Sequence, residues 1–143
     1  VDRVLTQTNL EGKNLQLEIT ESVLMENLQY LSDILWQLKA REIGLSIDDF
    51  GTGYSSLSYL HHLPIDNLKI DRSFVASMGQ QKDSRDIVQT IINLAQQLGM
   101  TTIAEGIESD EQLNKLKVLK CSKAQGFWLS KPLPPNAAAK LLG

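Results

Sequence analysis

The chain predicts an α/β fold, an incomplete (β/α)8 TIM-type barrel of about five βα units, and three observations carry that expectation. Short apolar segments with strand character alternate with helical stripes five times, joined by short loops, the pattern of a parallel sheet. Polar residues fall at or near the ends of those strands: Glu18, Asp48, Lys69 and Glu105, with Gln125 inside the last one. Barrels gather their chemistry at the carboxyl ends of several strands. An open doubly wound sheet uses a switch point fed by fewer strands. Such barrels run to roughly 250 residues, so five strands within 143 residues fall three short of closure.

The elements follow in order. Val1, Val4, Leu5 and Thr8 recur at helical spacing, and Glu11-Gly12 makes a turn. From Leu15 to Thr20 the residues alternate, with Leu15, Leu17 and Ile19 on one side and Gln16, Glu18 and Thr20 on the other. Leu28, Leu31, Leu35 and Leu38 form a helical stripe with Lys39 and Arg41 near its end and Gly44 after it. A strand spans Leu45 to Asp48. Ser55 or Ser56 caps a short helix carrying Leu57 and Leu60, which stops before Pro64. Asn67 to Ile70 is the third strand. Asp83 caps a helix bearing Ile87, Ile91, Leu94 and Leu98 and ended by Gly99; Thr101 to Ala104 is the fourth strand. Ser109 and Gln112 make a capping-box pair for the helix with Leu113 and Leu116. Lys123 to Phe127 is the fifth strand, and Pro135 opens a last helix through Leu142.

Composition sets limits on function. Hydrophobic content of 42% and charged content of 22% suit a globular domain. A net charge of −3 without a basic cluster speaks against duplex nucleic acid as a partner. The one cysteine, Cys121, rules out an internal disulfide and fits a reducing compartment, so a cytoplasmic location is expected. No apolar run has the length of a membrane span, so no membrane contact is expected from this segment. The start at Val1-Asp2 reads as a piece of something longer.

Leu45 to Tyr54 is the stretch around which the chemistry is organised. A strand ends in two carboxylates, Asp48 and Asp49, and a loop with Gly51 and Gly53 follows. Adjacent residues of a regular strand point to opposite faces, so the backbone must turn there for both acids to serve one site, and the two glycines supply permissive dihedrals. The pair suits a hard divalent cation; a capped turn with Asp49 bonding loop amides accounts for it equally well. Glu18 and Glu105 on the same rim tilt the balance, because clustered carboxylates ionise cheaply only beside a cation. All-oxygen ligands favour Mg²⁺ or Mn²⁺ over zinc. Lys69 adds a compact positive charge able to orient a water or a phosphate oxygen. Together they fit metal-assisted hydrolysis of a phosphate ester.

Five motifs, in order, resemble the EAL-domain family: Leu17-Glu18-Ile19-Thr20-Glu21; Asp48-Asp49-Phe50-Gly51-Thr52-Gly53-Tyr54-Ser55-Ser56; Leu68-Lys69-Ile70-Asp71; Ala104-Glu105-Gly106-Ile107-Glu108; and Gln125-Gly126-Phe127 with Ser130-Lys131-Pro132-Leu133 after it. Members are bacterial cyclic di-GMP phosphodiesterases on a modified (β/α)8 barrel, hydrolysing the cyclic dinucleotide to linear pGpG with Mg²⁺ or Mn²⁺ at a two-metal site. The resemblance implies that residues 1–143 are the carboxyl-terminal part of such a domain, with the amino-terminal part of the barrel missing. By position, Glu18 and Asp48 match metal ligands and Asp49 a ligand or bridge of the second metal. Lys69 matches the lysine that contacts the catalytic water or phosphate. Glu105 matches the proposed general base and a second-metal ligand. Glu108 matches a supporting carboxylate, Gln125 a polar group beside a water on the metal, and Glu21 a glutamate that holds the Asp48–Tyr54 loop in shape.

The family's Glu-Ala-Leu signature, the arginine just after it and an asparagine ligand have no counterpart in the chain. The expectation is a competent parent phosphodiesterase and a nearly inactive isolated chain that self-associates through open sheet edges. A sensory or GGDEF-type domain upstream and membrane anchoring through other domains are both compatible with the resemblance. The rivals are an EAL module that binds cyclic di-GMP without cleaving it and a different metal-dependent barrel hydrolase. His61, His62, Trp36 and Trp128 are read as surface or packing residues, Asp71 as a loop anchor, and Gly12-Lys13 as no phosphate loop.

Overall fold

The computed structural model describes residues 1–52, 57–78 and 82–142. Its sheet has five parallel strands hydrogen-bonded in chain order: β1 (Gln16–Thr20), β2 (Gly44–Phe50), β3 (Asn67–Ile70), β4 (Thr101–Ala104) and β5 (Lys123–Ala124). Between and around them run α1 (Asp2–Thr8), α2 (Glu21–Glu26), α3 (Leu28–Lys39), α4 (Leu57–Leu60), α5 (Arg72–Ser77), α6 (Lys82–Gln97), α7 (Asp110–Val118) and α8 (Pro135–Leu142). Spatial order that equals chain order, without a reversal, is the run of a (β/α)8 wall rather than of a doubly wound sheet.

The pleat sorts side chains into two layers. Leu17 pairs with Leu45, Ile19 with Ile47, Ile47 with Leu68 and Ile70 with Ala104. This apolar face packs with Leu24, Leu35, Leu60, Val75, Val88, Ile92 and Leu116 in one core cluster. Each fully buried aliphatic side chain there contributes about 1.5–3 kcal/mol of transfer free energy, so this layer dominates stability. The other face is polar. Glu18 aligns with Ser46, and Ser46 with Asn67. Ser46 Oγ accepts from Gln16 and, at 3.1 Å, from Asn67 Nδ2.

At the amino ends of the strands, Asp66 fastens three elements. Its carboxylate pairs with Lys39 and accepts from Leu45 N–H at 2.8 Å, while its carbonyl accepts from Thr101 N–H. That end carries packing and capping. Chemistry sits at the other.

Several boundaries differ from expectation for local reasons. Two short helices, α2 and α5, follow β1 and β3 with almost no loop signal before them. After α3 it is Glu42, at φ 61°, that takes the left-handed turn, and Gly44 already opens β2. Asp83 lies inside the first turn of α6 rather than capping it. The buried face of α6 runs through Ser84, Val88, Ile92 and Ala95, so Ile87 is 39% exposed. The capping box of Ser109 and Gln112 forms as expected. Trp36 and Trp128 are both more than half exposed and outside the core. The expected caps Ser55 and Ser56 lie outside the described residues.

The fifth strand stops at Ala124 instead of reaching Phe127. Gln125 N–H still donates to Ala104, but the backbone then folds over Ile107, whose carbonyl accepts from Trp128 N–H. A Cβ built on Gly126 would stand 2.1 Å from Ile107 N and 2.2 Å from its carbonyl oxygen. Gly126→Ala must therefore push two backbone segments apart. The expected loss is roughly 2–3 kcal/mol, read as a lower urea midpoint at unchanged slope.

Candidate active site

The strand end at Asp48 and Asp49 is built around a bulge. From Ile47 to Phe50 the second strand advances three residues while β3 advances two, from Leu68 to Ile70. Asp49 absorbs the extra residue at φ 53°, a left-handed conformation that aspartate tolerates better than most residues. The bulge therefore does what was expected of the glycines alone. Gly51 also has positive φ, 99°, and a Cβ there would lie 2.9 Å from the Phe74 ring. Gly53 lies outside the described residues. Glu21, 1% exposed, accepts from Gly51 N–H at 2.9 Å and ties the loop to the start of α2.

Because of the bulge, Asp48, Asp49 and Glu105 each place a carboxylate oxygen within 4.8 Å of the others. Three hard oxygen donors at that spacing, with no histidine or cysteine in the group, fit a divalent ion such as Mg²⁺, Mn²⁺ or Ca²⁺. Glu18 is not in that triad; it reaches the same place through Lys69. Lys69 Nζ lies 2.6 Å from Glu18, 3.0 Å from Asp48 and 2.8 Å from Glu105. It is a buried ammonium, 5% exposed, and not a solvated surface lysine. Burial opposes its charge, yet the hydrogen bonds to Glu105, Glu18 and Asp48 outweigh that, and its pKa is raised.

The pKa of Asp49 is raised as well. Burial, the Asp48 charge and a hydrogen bond with Asp71 hold its carboxyl above the ordinary range. Asp71 caps α5: Ser73 N–H donates to its Oδ1 at 2.9 Å, and despite burial the bonds from Ser73 hold its pKa down. Gln125 Nε2 donates to Glu105 Oε1 at 2.8 Å, which orients that carboxylate. Glu108 stands apart from the triad, exposed on the lining of a cleft of about 400 Å³ that it shares with Glu105 and Gln125. Arg72 lines the same cleft and carries no motif signal beyond its place directly after a strand-end aspartate. His61 and His62 are exposed and far from any such group in chain position, their rings tilted 5.5 Å apart.

Comparison with known proteins adds to this geometry. The EAL domain family profile matches residues 1–132. The chain is 43% identical over 142 residues to the cyclic di-GMP phosphodiesterase NbdA of Pseudomonas aeruginosa, a match covering 99% of this chain and 18% of that protein. Among solved structures, the PaMucR phosphodiesterase in complex with c-di-GMP superposes with a TM-score of 0.94 at 43% identity, covering 96% of this chain and 56% of that one. Klebsiella pneumoniae BlrP1, solved with manganese and cy-diGMP, superposes with a TM-score of 0.80 at 30% identity over 87% of this chain and 32% of that one. The chain thus spans about a fifth of the curated relative and about half of the PaMucR chain.

The ammonium of Lys69 is what holds Glu18, Asp48 and Glu105 together. Lys69→Met removes it and leaves three carboxylates facing one another, a change expected to cost about 3–5 kcal/mol. Urea unfolding in metal-free buffer measures this, and a loss below about 1 kcal/mol would show that the carboxylates do not depend on it.

Proposed function

Since this chain belongs to the EAL-domain family, we propose that the protein containing it hydrolyses cyclic di-GMP to linear pGpG with Mg²⁺ or Mn²⁺, and that this chain supplies about half of a two-metal site. The observation that carries the reading is the meeting of Asp48, Asp49 and Glu105 within 4.8 Å at the carboxyl ends of separate strands, beside Lys69. The manganese and cy-diGMP bound by BlrP1 support the choice of ion and substrate.

Motif position gives the roles. Asp48 and Glu18 would hold the first cation, and Asp49 and Glu105 the second; when bound, the cations would supply charge neutralisation and an acidified water. Glu105, oriented by Lys69 and Gln125, takes the proton from the attacking water. The new oxygen–phosphorus bond forms as the bond from phosphorus to one ribose 3′ oxygen breaks, and that oxygen leaves with a proton. Lys69 stabilises charge on the phosphoryl oxygens. Glu21 keeps the Asp48–Asp49 bulge in register through Gly51, and Glu108 lines the substrate side of the cleft.

Measurement of pGpG release by chromatography tests the reading. Chelation with EDTA abolishes turnover and Mn²⁺ restores it, while Glu105→Gln lowers kcat by about 10²–10⁴-fold, the scale of a lost general base. Tight binding of cyclic di-GMP without turnover by the unsubstituted protein would favour the regulatory module instead.

The remaining ligands of the site, a glutamate of the Glu-Ala-Leu signature and an asparagine, belong to strands outside this chain. Expressed by itself, the chain is expected to turn over at least about 100-fold more slowly than the whole domain, since groups that position the metals are missing. Its edge strands β1 and β5 present unpaired backbone, so light scattering should report association rather than a monomer.

A further inference from the structure

Arg72 is the only cation among the described residues that line the Glu105 cleft. Two neighbouring carboxylates are engaged elsewhere. Asp71 is taken up by Ser73 and Asp49, and Glu105 by Lys69 and Gln125. Among the described residues Arg72 makes no ion pair, although Glu105 and Glu108 line the same cleft. Its stem is placed by close packing. A Cβ on Gly106 would lie 2.7 Å from Arg72 Cβ, so the glycine after Glu105 leaves room for the arginine to lie over the end of β4. Gly106 takes φ 71° there, which adds a second reason for glycine. Phe127 and Pro132 give the cleft nonpolar lining, which strengthens a charge contact inside it.

A cyclic dinucleotide carries two phosphodiesters, and one cannot occupy the acidic triad while the other does. The second is an anion with no counter-charge from Asp48, Asp49 or Glu105. A guanidinium offers a planar fork that matches two phosphate oxygens. We propose that Arg72 anchors the phosphodiester of cyclic di-GMP that is not being cut, setting the ring's orientation over the triad. The inference rests on the phosphodiesterase reading above and adds a substrate-binding residue to it.

The test uses initial rates of the full-length protein with Mn²⁺ and cyclic di-GMP. Arg72→Gln raises KM by about 10- to 100-fold, the scale of a charge-assisted hydrogen bond, while kcat changes less than about threefold. Arg72→Lys recovers part of the loss. The KM of the unsubstituted protein also climbs with NaCl more steeply than that of Arg72→Gln, because an ionic contact is being screened. A KM within twofold of the original, or a fall in kcat at constant KM, overturns the assignment. If Arg72→Gln loses its thermal unfolding transition, Arg72→Lys, which keeps the charge and loses the fork, is read on the same criterion. Unsubstituted protein that neither binds nor cleaves cyclic di-GMP overturns the phosphodiesterase reading itself, a result distinct from normal turnover indifferent to Arg72.

Discussion

One ammonium group, Lys69 Nζ, lies within 3.0 Å of carboxylates delivered by β1, by β2 and by the end of β4. Like charges 4 Å apart repel by about 4 kcal/mol under an effective dielectric constant of about 20, so carboxylates gathered like Glu18, Asp48 and Glu105 need a counter-ion. A cation between them turns that repulsion into a net attraction that crosses the sheet. Only a residue on the central strand can reach both sides. β3 is that strand, buried along its whole length between β2 and β4, and its rigidity fixes where Nζ stands.

The fold was largely legible because its signals are local and repeated. Strands β1 to β4, the helix α3 with its apolar stripe and the capping box at Ser109 stand close to where the pattern puts them. The helices that escaped notice, α2 and α5, are six residues long and start immediately after strand ends. Nothing in their composition announces a break. The early end of β5 was hidden for another reason: it is imposed by contact between Gly126 and the backbone of Ile107, nineteen residues upstream, and no local propensity encodes it.

For the site, residue type and position at strand ends sufficed to select Glu18, Asp48, Asp49, Lys69 and Glu105. What composition could not supply was who touches whom. Nothing in its motif marks Lys69 as buried, and only the sheet order turns it into a shared counter-ion. Arg72 carries no motif signal beyond its place directly after Asp71. Here Asp71 is consumed by its capping bond to Ser73, and the guanidinium is left to face the cleft.

The bulge at Asp49 has an evolutionary and engineering corollary. Strand pleating alone would offer the barrel mouth one acid from β2; the added residue offers it two. Only Asp48 and Asp49 stand between Ile47 and Phe50, so deleting either one would return the strand to plain register and leave the mouth a single acid from β2. The second acid of this strand end thus depends on one inserted residue.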